Sequence, residues 1–307
     1  MLLLQALFSM ILREDFYRAV NSYKYHSFIL KCNSILNSND LRGYGVMTIS
    51  LIDVLFRSEK RKRVLLLLKD GTKQMEDILK SLGTTRQALL PQIKILEKHN
   101  LLSKSNDSYE LTIIGKLIVD DMALLVDTTK VLDIDIYYWG SHKLDCIPPH
   151  LLKRINELGS FKTRLPPIEN SNEINKMIVE TTEKSESMIS ISSFAYPNFL
   201  EILENFTAKG VELTIIVSKE LDENLRHNKY YDFKRLLENK KIKIFVYPLK
   251  IDFISFTQND YCSFLRLLTK EGAFDNSQLI FCNPGSLTWG KEFFEYYLKD
   301  SIQRTVI

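Results

Sequence analysis

The chain has 307 residues, 45% of them apolar and 26% charged, with a formal net charge of +3 and no low-complexity tract. Such a chain can bury more than one core, which excludes an intrinsically disordered protein and predicts two domains with connectors. Cys32, Cys146, Cys262 and Cys282 include no C-x-x-C pair, and His26, His99, His142, His150 and His227 show no ligand-like spacing. This pattern predicts reduced thiols in a cytoplasmic protein, with no metal site and no cofactor.

Residues 1–46 open with Met1-Leu2-Leu3-Leu4 and an apolar stretch to Leu12 that has no basic residue before it. That is unlike a secretory leader, and the stretch is too short to span a bilayer. Lys31 to Gly45 is polar and aperiodic, whereas an organised helix begins at Met47. Two readings stay open: a flexible or non-native extension upstream of a start at Met47, or an additional dimerisation helix.

The next segment, residues 47–128, has the order of a winged helix-turn-helix. Glu59-Lys60-Arg61-Lys62-Arg63 leads into Val64-Leu65-Leu66-Leu67-Leu68 and stops at Asp70-Gly71, glycine being suited to the left-handed residue that ends a helix. A second helix, Met75 to Leu82, closes on Gly83. Thr84 and Thr85 then offer N-capping hydroxyls to a longer run in which Ala88, Leu89, Ile93 and Leu96 recur at helical spacing, the predicted recognition helix. Leu101–Lys104 and Tyr109–Thr112 flank Ser105-Asn106-Asp107-Ser108, a polar cluster of turn formers that predicts the wing. Thr112 caps a helix from Ile113 to about Thr128, with Ile114, Leu117, Ile118, Met122 and Leu125 in one stripe suited to pairing with a second copy.

Charge supports this reading. Met47 to Val119 holds 13 lysines and arginines against 8 aspartates and glutamates, a net of +5, whereas residues 120–307 are net −4. A basic module joined to a mildly acidic one suits a protein in which one part meets phosphate. The outward positions of the recognition helix are Arg86, Gln87, Leu90, Pro91 and Lys94, and Thr84 and Thr85 just before it are expected to join them in binding DNA. Arginine and glutamine can pair with guanine and adenine edges, and leucine can meet a thymine methyl. Lys60, Arg61, Arg63 and the wing residues Lys104, Ser105 and Asn106 are expected to hold the DNA backbone. Pro91 removes one helical hydrogen bond and predicts a kinked or split helix.

Residues 129–170 read as a helical linker, broken at Ile147-Pro148-Pro149-His150 and Leu165-Pro166-Pro167 around a short amphipathic helix that stops at Gly159. Within residues 171–307, β-rich runs and helices alternate from Met188 to Tyr247, then strands at Phe253–Thr257, Cys262–Leu268 and Gln278–Cys282 lead to a helix from Ser286 to Asp300. The βαβαβ order predicts a two-domain α/β protein, its C-terminal domain built on a central, mostly parallel sheet. Ligands of such sheets bind beyond the carboxyl ends of the strands, here Ser192, Ser193, Phe194 and Tyr196, then Ser218, then Tyr247, with Trp289 placed to close the pocket.

The winged module with Pro91-Gln92-Ile93-Lys94, the Leu151-Leu152-Lys153-Arg154-Ile155 run after Ile147-Pro148, and Trp289-Gly290-Lys291-Glu292-Phe293-Phe294-Glu295-Tyr296-Tyr297 together resemble archaeal regulators of the methanogenesis regulatory protein family. The resemblance covers about Met47 to Ser301. It implies an ArsR-like DNA-binding domain and a middle domain, found mainly in methanogens. Gly272-Ala273-Phe274-Asp275 looks like the family's glycine-x-aromatic-aspartate turn, while Tyr261-Cys262-Ser263-Phe264 is more polar than the strand usual there. The C-terminal part also resembles half of a phospholipase D-like fold, whose chemistry uses H-x-K-x(4)-D in two copies. The nearest approach, His227-Asn228-Lys229-Tyr230-Tyr231-Asp232, has the wrong spacing and no second copy, so no enzyme is expected.

These readings imply a homodimeric regulator that binds double-stranded DNA and an unidentified small-molecule effector, with no membrane partner. A ligand-independent architectural DNA-binding protein and a degenerate phosphodiesterase are the alternatives.

Overall fold

The computed structural model describes residues 49–164 and 174–306; the N-terminal extension, residues 1–46, and both readings of it lie outside them. Contacts divide the chain into two units, 1–59 and 60–307. The described part of the first holds helix α1 (Leu51–Phe56), where Asp53 pairs with Arg57 one turn on. No described helix is long and apolar enough to cross a membrane.

The second unit opens within helix α2 (Glu59–Leu67), which tightens into a 3-10 turn before Gly71. A short strand β1 (Lys73–Gln74) precedes α3 (Met75–Leu82). Gly83 caps α3 at φ 60°, a left-handed conformation glycine enters freely. Helix α4 (Arg86–Lys98) starts where the Thr85 hydroxyl accepts the Ala88 N–H. It runs unbroken through Pro91, which lies on its exposed side, so the predicted recognition helix is not split. Leu89, Ile93 and Leu96 are buried, as their spacing predicts.

Strands β2 (Leu102–Ser105) and β3 (Ser108–Leu111) form the wing around Asn106-Asp107, with Asn106 in the left-handed region at φ 56°. Strand β1 pairs with the other edge of β3 to complete a three-stranded sheet. Helix α5 (Ile113–Ile134) is capped by Thr112, whose hydroxyl accepts the Gly115 N–H. Gly115 lies so close to the chain before β2 that a Cβ there would sit 2.1 Å from the Leu101 carbonyl oxygen. The expected stripe on this helix divides: Met122 is buried, whereas Ile114, Leu117 and Leu125 are exposed.

The segment expected as a linker contributes to the sheet domain instead. It holds α6 (Ile136–Ser141), α7 (Pro149–Leu152), a 3-10 turn ending at Gly159, and edge strand β4 (Phe161–Arg164). Then follow α8 (Lys176–Thr182), β5 (Ser187–Ser192), α9 (Phe199–Ala208), β6 (Glu212–Ser218), α10 (Lys219–Asn228), α11 (Tyr230–Glu238) and β7 (Ile242–Tyr247). The chain finishes with β8 (Ser255–Asn259), β9 (Ser263–Arg266), β10 (Gln278–Phe281), α12 (Pro284–Leu298) and β11 (Ile302–Arg304).

These strands make one eight-stranded sheet in the order β11-β7-β6-β5-β8-β9-β10-β4. Only β5–β6 and β6–β7 are parallel, and every other pair is antiparallel. The sheet is therefore mixed and mostly antiparallel, which corrects the mostly parallel sheet expected above. The helical crossovers α9 and α10–α11 return the chain to its starting end and enforce parallel pairing. From β7 onward the links to β8, β9 and β10 contain no helix and are too short for a crossover, so direction reverses each time.

Two cores lie on opposite faces of the sheet. Ile191 joins Trp289, Phe293, Tyr297, Trp139 and Val131 on one side, while Met188 joins Leu203, Phe206, Leu213, Leu225 and Phe233 on the other. The period-2 alternation of β5 sends Ile189 and Ile191 one way and Met188, Ser190 and Ser192 the other. Val131 is near the end of α5, so the helix that leaves the wing ends inside the sheet core.

Cys262 and Cys282 form a disulfide, with Cα atoms 4.2 Å apart, between the start of β9 and the end of β10. This corrects the expectation of reduced thiols for that pair: antiparallel register brings together two residues that are 20 apart in the chain. Cys146 is free and buried.

Candidate nucleic-acid interface and effector cavity

The outward face of α4 collects Arg86, Gln87, Pro91 and Lys94, all exposed, with Leu90 half-buried among them. This follows from the buried series Leu89, Ile93 and Leu96, which turns the intervening positions away from the core. Thr84 is half-buried and Thr85 exposed as cap. Beside them the wing presents Lys104, Ser105 and Asn106, with Lys104 Nζ 5.7 Å from the Tyr109 ring centroid.

Arg86 is engaged within the protein. Its Nη2 donates to both carboxylate oxygens of Asp107 at the wing tip, at 2.7 Å to Oδ2, and Nη1 lies 3.8 Å from Glu76. Its hydrogen bond with Asp107 is the main reason its pKa is raised above the ordinary arginine value. The basic run on α2 separates into two roles. Lys60 and Arg63 are exposed, whereas Arg61 is buried and donates to Gln92 Oε1 at 2.9 Å. Arg61 thus ties α2 to α4 and is withdrawn from the expected phosphate contacts.

The expected effector residues divide in the same way. Ser192 and Tyr196 line a cavity of about 40 Å³ with Ser190, Ser255, Thr257 and Gln278, roofed by apolar side chains of α8 and α9. Phe194 packs edge-on against Tyr196 at 5.3 Å. Ser193 stands beside this group, donating to the carbonyls of Phe253 and Ile254. Ser218 is elsewhere, capping α10 by accepting the Leu221 N–H. Tyr247 and Trp289 belong to the opposite core: Tyr247 packs on Tyr297, and Trp289 stacks on Phe293 and donates to the Leu151 carbonyl at 2.9 Å. Trp289 therefore anchors the last helix and does not close the cavity.

Sequence reading missed Arg266, which ends β9 and is 3% exposed. It donates to Tyr196 Oη at 2.6 Å and to Asn276 Oδ1 at 2.9 Å, and its guanidinium lies 4.9 Å from the Phe274 ring centroid. The signal was present as a lone charge in the otherwise apolar run Phe264-Leu265-Arg266-Leu267-Leu268. Burial is also the first cause of the raised pKa of the Tyr196 hydroxyl.

The nearest match to phospholipase chemistry is not assembled. His227 is exposed on α10, bonded to the backbone carbonyl of Glu223, and Asp232 is paired with Arg235. Among the described residues no three His, Cys, Asp or Glu side chains come together as metal ligands.

Residues 49–130 match the N-terminal domain of the methanogenesis regulatory protein FilR1, and residues 171–300 match its middle domain. One relative, Methanogenesis regulatory protein FilR1 of Methanothrix harundinacea (strain 6Ac), is 22% identical over 265 residues. The match covers 82% of this chain but only 58% of that relative's length. Among solved structures, the archaeal chromatin protein TrmBL2 aligns over 80% of this chain and 94% of its own, at 14% identity and a TM-score of 0.36. The phospholipase D family member Nuc from Salmonella typhimurium aligns over 48% of this chain and 99% of its own, at 13% identity and a TM-score of 0.36.

Proposed function

Because the chain belongs to the FilR1 methanogenesis regulatory protein family, carrying its N-terminal and middle domains, we propose that it is a homodimeric, DNA-binding transcriptional regulator of the cytoplasm whose α/β domain senses a small-molecule effector. One observation carries the reading: the exposed face of α4, with Gln87, Leu90 and Lys94, stands beside a wing bearing Lys104, Ser105 and Asn106. A helix of this width fits the major groove, where Gln87 can pair with adenine and Leu90 can meet a thymine methyl. Lys94, Lys104, Lys60 and Arg63 neutralise phosphates and set the register.

The second copy is supported by α5. Ile113, Leu117 and Leu124 are 88%, 71% and 56% exposed at helical spacing, forming an apolar stripe that a twin helix can bury. The same helix ends in the sheet core at Val131. A ligand that repacks the sheet side can therefore move the wing side through one rigid element, which is the coupling an effector needs.

Fluorescence anisotropy with DNA from upstream of the protein's own gene tests the reading. Wild type is expected to bind, with affinity falling steeply as salt rises. The Gln87→Ala/Lys94→Ala double variant should lose specific binding while keeping its circular dichroism spectrum. Equal binding by both proteins would overturn the interface assigned here.

A further inference from the structure

Among the described residues, Arg266 is a buried cation without an anion. The contrast lies in Asp222, equally buried, which is paired with both Arg226 and Arg304. Around Arg266 no described carboxylate comes within ion-pairing distance. Its Nη groups meet the neutral oxygens of Tyr196 and Asn276, and its Nε is buried with no partner. Asp275, in the loop that supplies Phe274 and Asn276, is committed to His142 Nε2 at 2.9 Å and to Ser277. A buried charge is ordinarily paired, because desolvating it alone is costly.

The register shows where the missing charge belongs. Arg266 pairs with Ser255, and Ser255 with Ser192. Paired residues share a sheet face, so the three side chains stand in a row on the face that bears the cavity, and both serines line it. Tyr196 lines it too, and its hydroxyl serves only as an acceptor, from Arg266, which leaves its own proton to donate. Tyr196 O–H is thus unspent in the lining of a cavity with apolar walls from Ile178, Phe199 and Leu203, and Arg266 Nε–H is unspent on the residue bonded to that hydroxyl. At about 40 Å³ the cavity takes about three water-sized groups.

We propose that Arg266 is the anchor of a small organic anion, a short aliphatic carboxylate whose head meets Arg266 and Tyr196 and whose tail of about three carbons enters the cavity. The assignment deepens the effector reading above and rests on it. The Phe274 ring lies 4.9 Å from the Arg266 guanidinium and packs against Phe194 at 5.7 Å, which adds apolar surface beside the cation. Arginine is suited to this role because its planar fork meets a carboxylate with two parallel donors.

Thermal unfolding of the full chain with butyrate, butyramide or inorganic phosphate, at matched ionic strength, tests it. Butyrate is expected to raise Tm by about 5 °C at a hundredfold excess over Kd, with butyramide and phosphate giving much less. Arg266→Met should fold and lose the butyrate shift, and Tyr196→Phe should weaken it severalfold. If Arg266→Met fails to fold, Arg266→Lys replaces it, and a butyrate shift as large as the wild type's in Arg266→Lys overturns the forked contact. Equal shifts from butyramide or phosphate, or no butyrate shift in wild type, overturn the assignment. Operator affinity that still responds to a neutral metabolite would then leave the sensor reading standing, whereas no response to any metabolite would remove both.

Discussion

Arg86 in the first turn of the recognition helix and Asp107 at the tip of the wing are joined by a forked ion pair. The two elements proposed to enter DNA together are thereby tied to each other, but the arginine is occupied. An exposed pair of this kind adds little to stability, so a phosphate or a guanine edge can compete for it. Asp107→Asn is expected to tighten DNA binding by severalfold, because it frees Arg86 and removes a negative charge from the interface. Arg86→Ala should weaken it. Anisotropy titrations of the two variants at one salt concentration check the opposite signs; a loss in both would mean that the pair acts only as a strut.

Gly115 fixes the approach of α5 to the wing. An added Cβ would meet the Leu101 carbonyl oxygen at 2.1 Å, and backbone cannot swing aside as a side-chain tip can. Gly115→Ala is expected to cost about 1–3 kcal/mol and to loosen the wing. Urea unfolding measures the first effect. Hydrogen exchange across residues 101–112 measures the second, and unchanged protection there would contradict the packing described.

The disulfide Cys262–Cys282 closes a loop of 20 residues, and loss of a cross-link of that size is expected to lower stability by about 3 kcal/mol. Under reduction, Cys282, which is exposed, should be alkylated before Cys262, which is buried. Cys146 should stay unlabelled while the protein is folded, since burial pushes its thiol up to about 12 and keeps it protonated. Peptide mass spectrometry after timed iodoacetamide treatment gives the order directly.

Acid should unfold the sheet domain through its paired carboxylates. Burial opposes ionisation of Asp275, but the Ser277 amide and hydroxyl together with His142 outweigh it and hold the carboxyl below its usual range. Glu292 is lowered chiefly by its hydrogen bond from Arg154. A depressed carboxylate contributes stability in full above its unfolded value of about 4, and that stability is lost as pH falls through the folded value. Tm should therefore decline below about pH 4, and the decline should be shallower in Asp275→Asn. An equal slope in both proteins would remove Asp275 from the list of causes.

Much of this architecture was legible because local rules and the global fold agree. Gly71, Gly83 and Thr112 end or begin helices where their chemistry predicts, and Asn106-Asp107 turns the wing. The parallel trio β5–β6–β7 followed from alternating strands and helices. Sheet direction beyond β7 did not, since a short apolar strand reads the same in either orientation and only the length of its connection decides. The edge strands β4 and β11 are three or four residues long and carry too little pattern to read. Within the candidate sites, burial was the missing quantity. Arg61 looked like its exposed neighbours and Trp289 like a pocket wall until packing assigned each its side of the helix or sheet, and Arg266, a lone charge in an apolar run, drew no reading at all.

Footprinting of the upstream DNA with hydroxyl radicals tests the central claim most directly. A homodimer that reads DNA with α4 and its wing should protect two related half-sites about 10 base pairs apart, or a multiple of that spacing, on one face of the duplex. The same fragment should be left unprotected by Gln87→Ala/Lys94→Ala. Uniform protection without half-sites, or an identical footprint from the double variant, would contradict it.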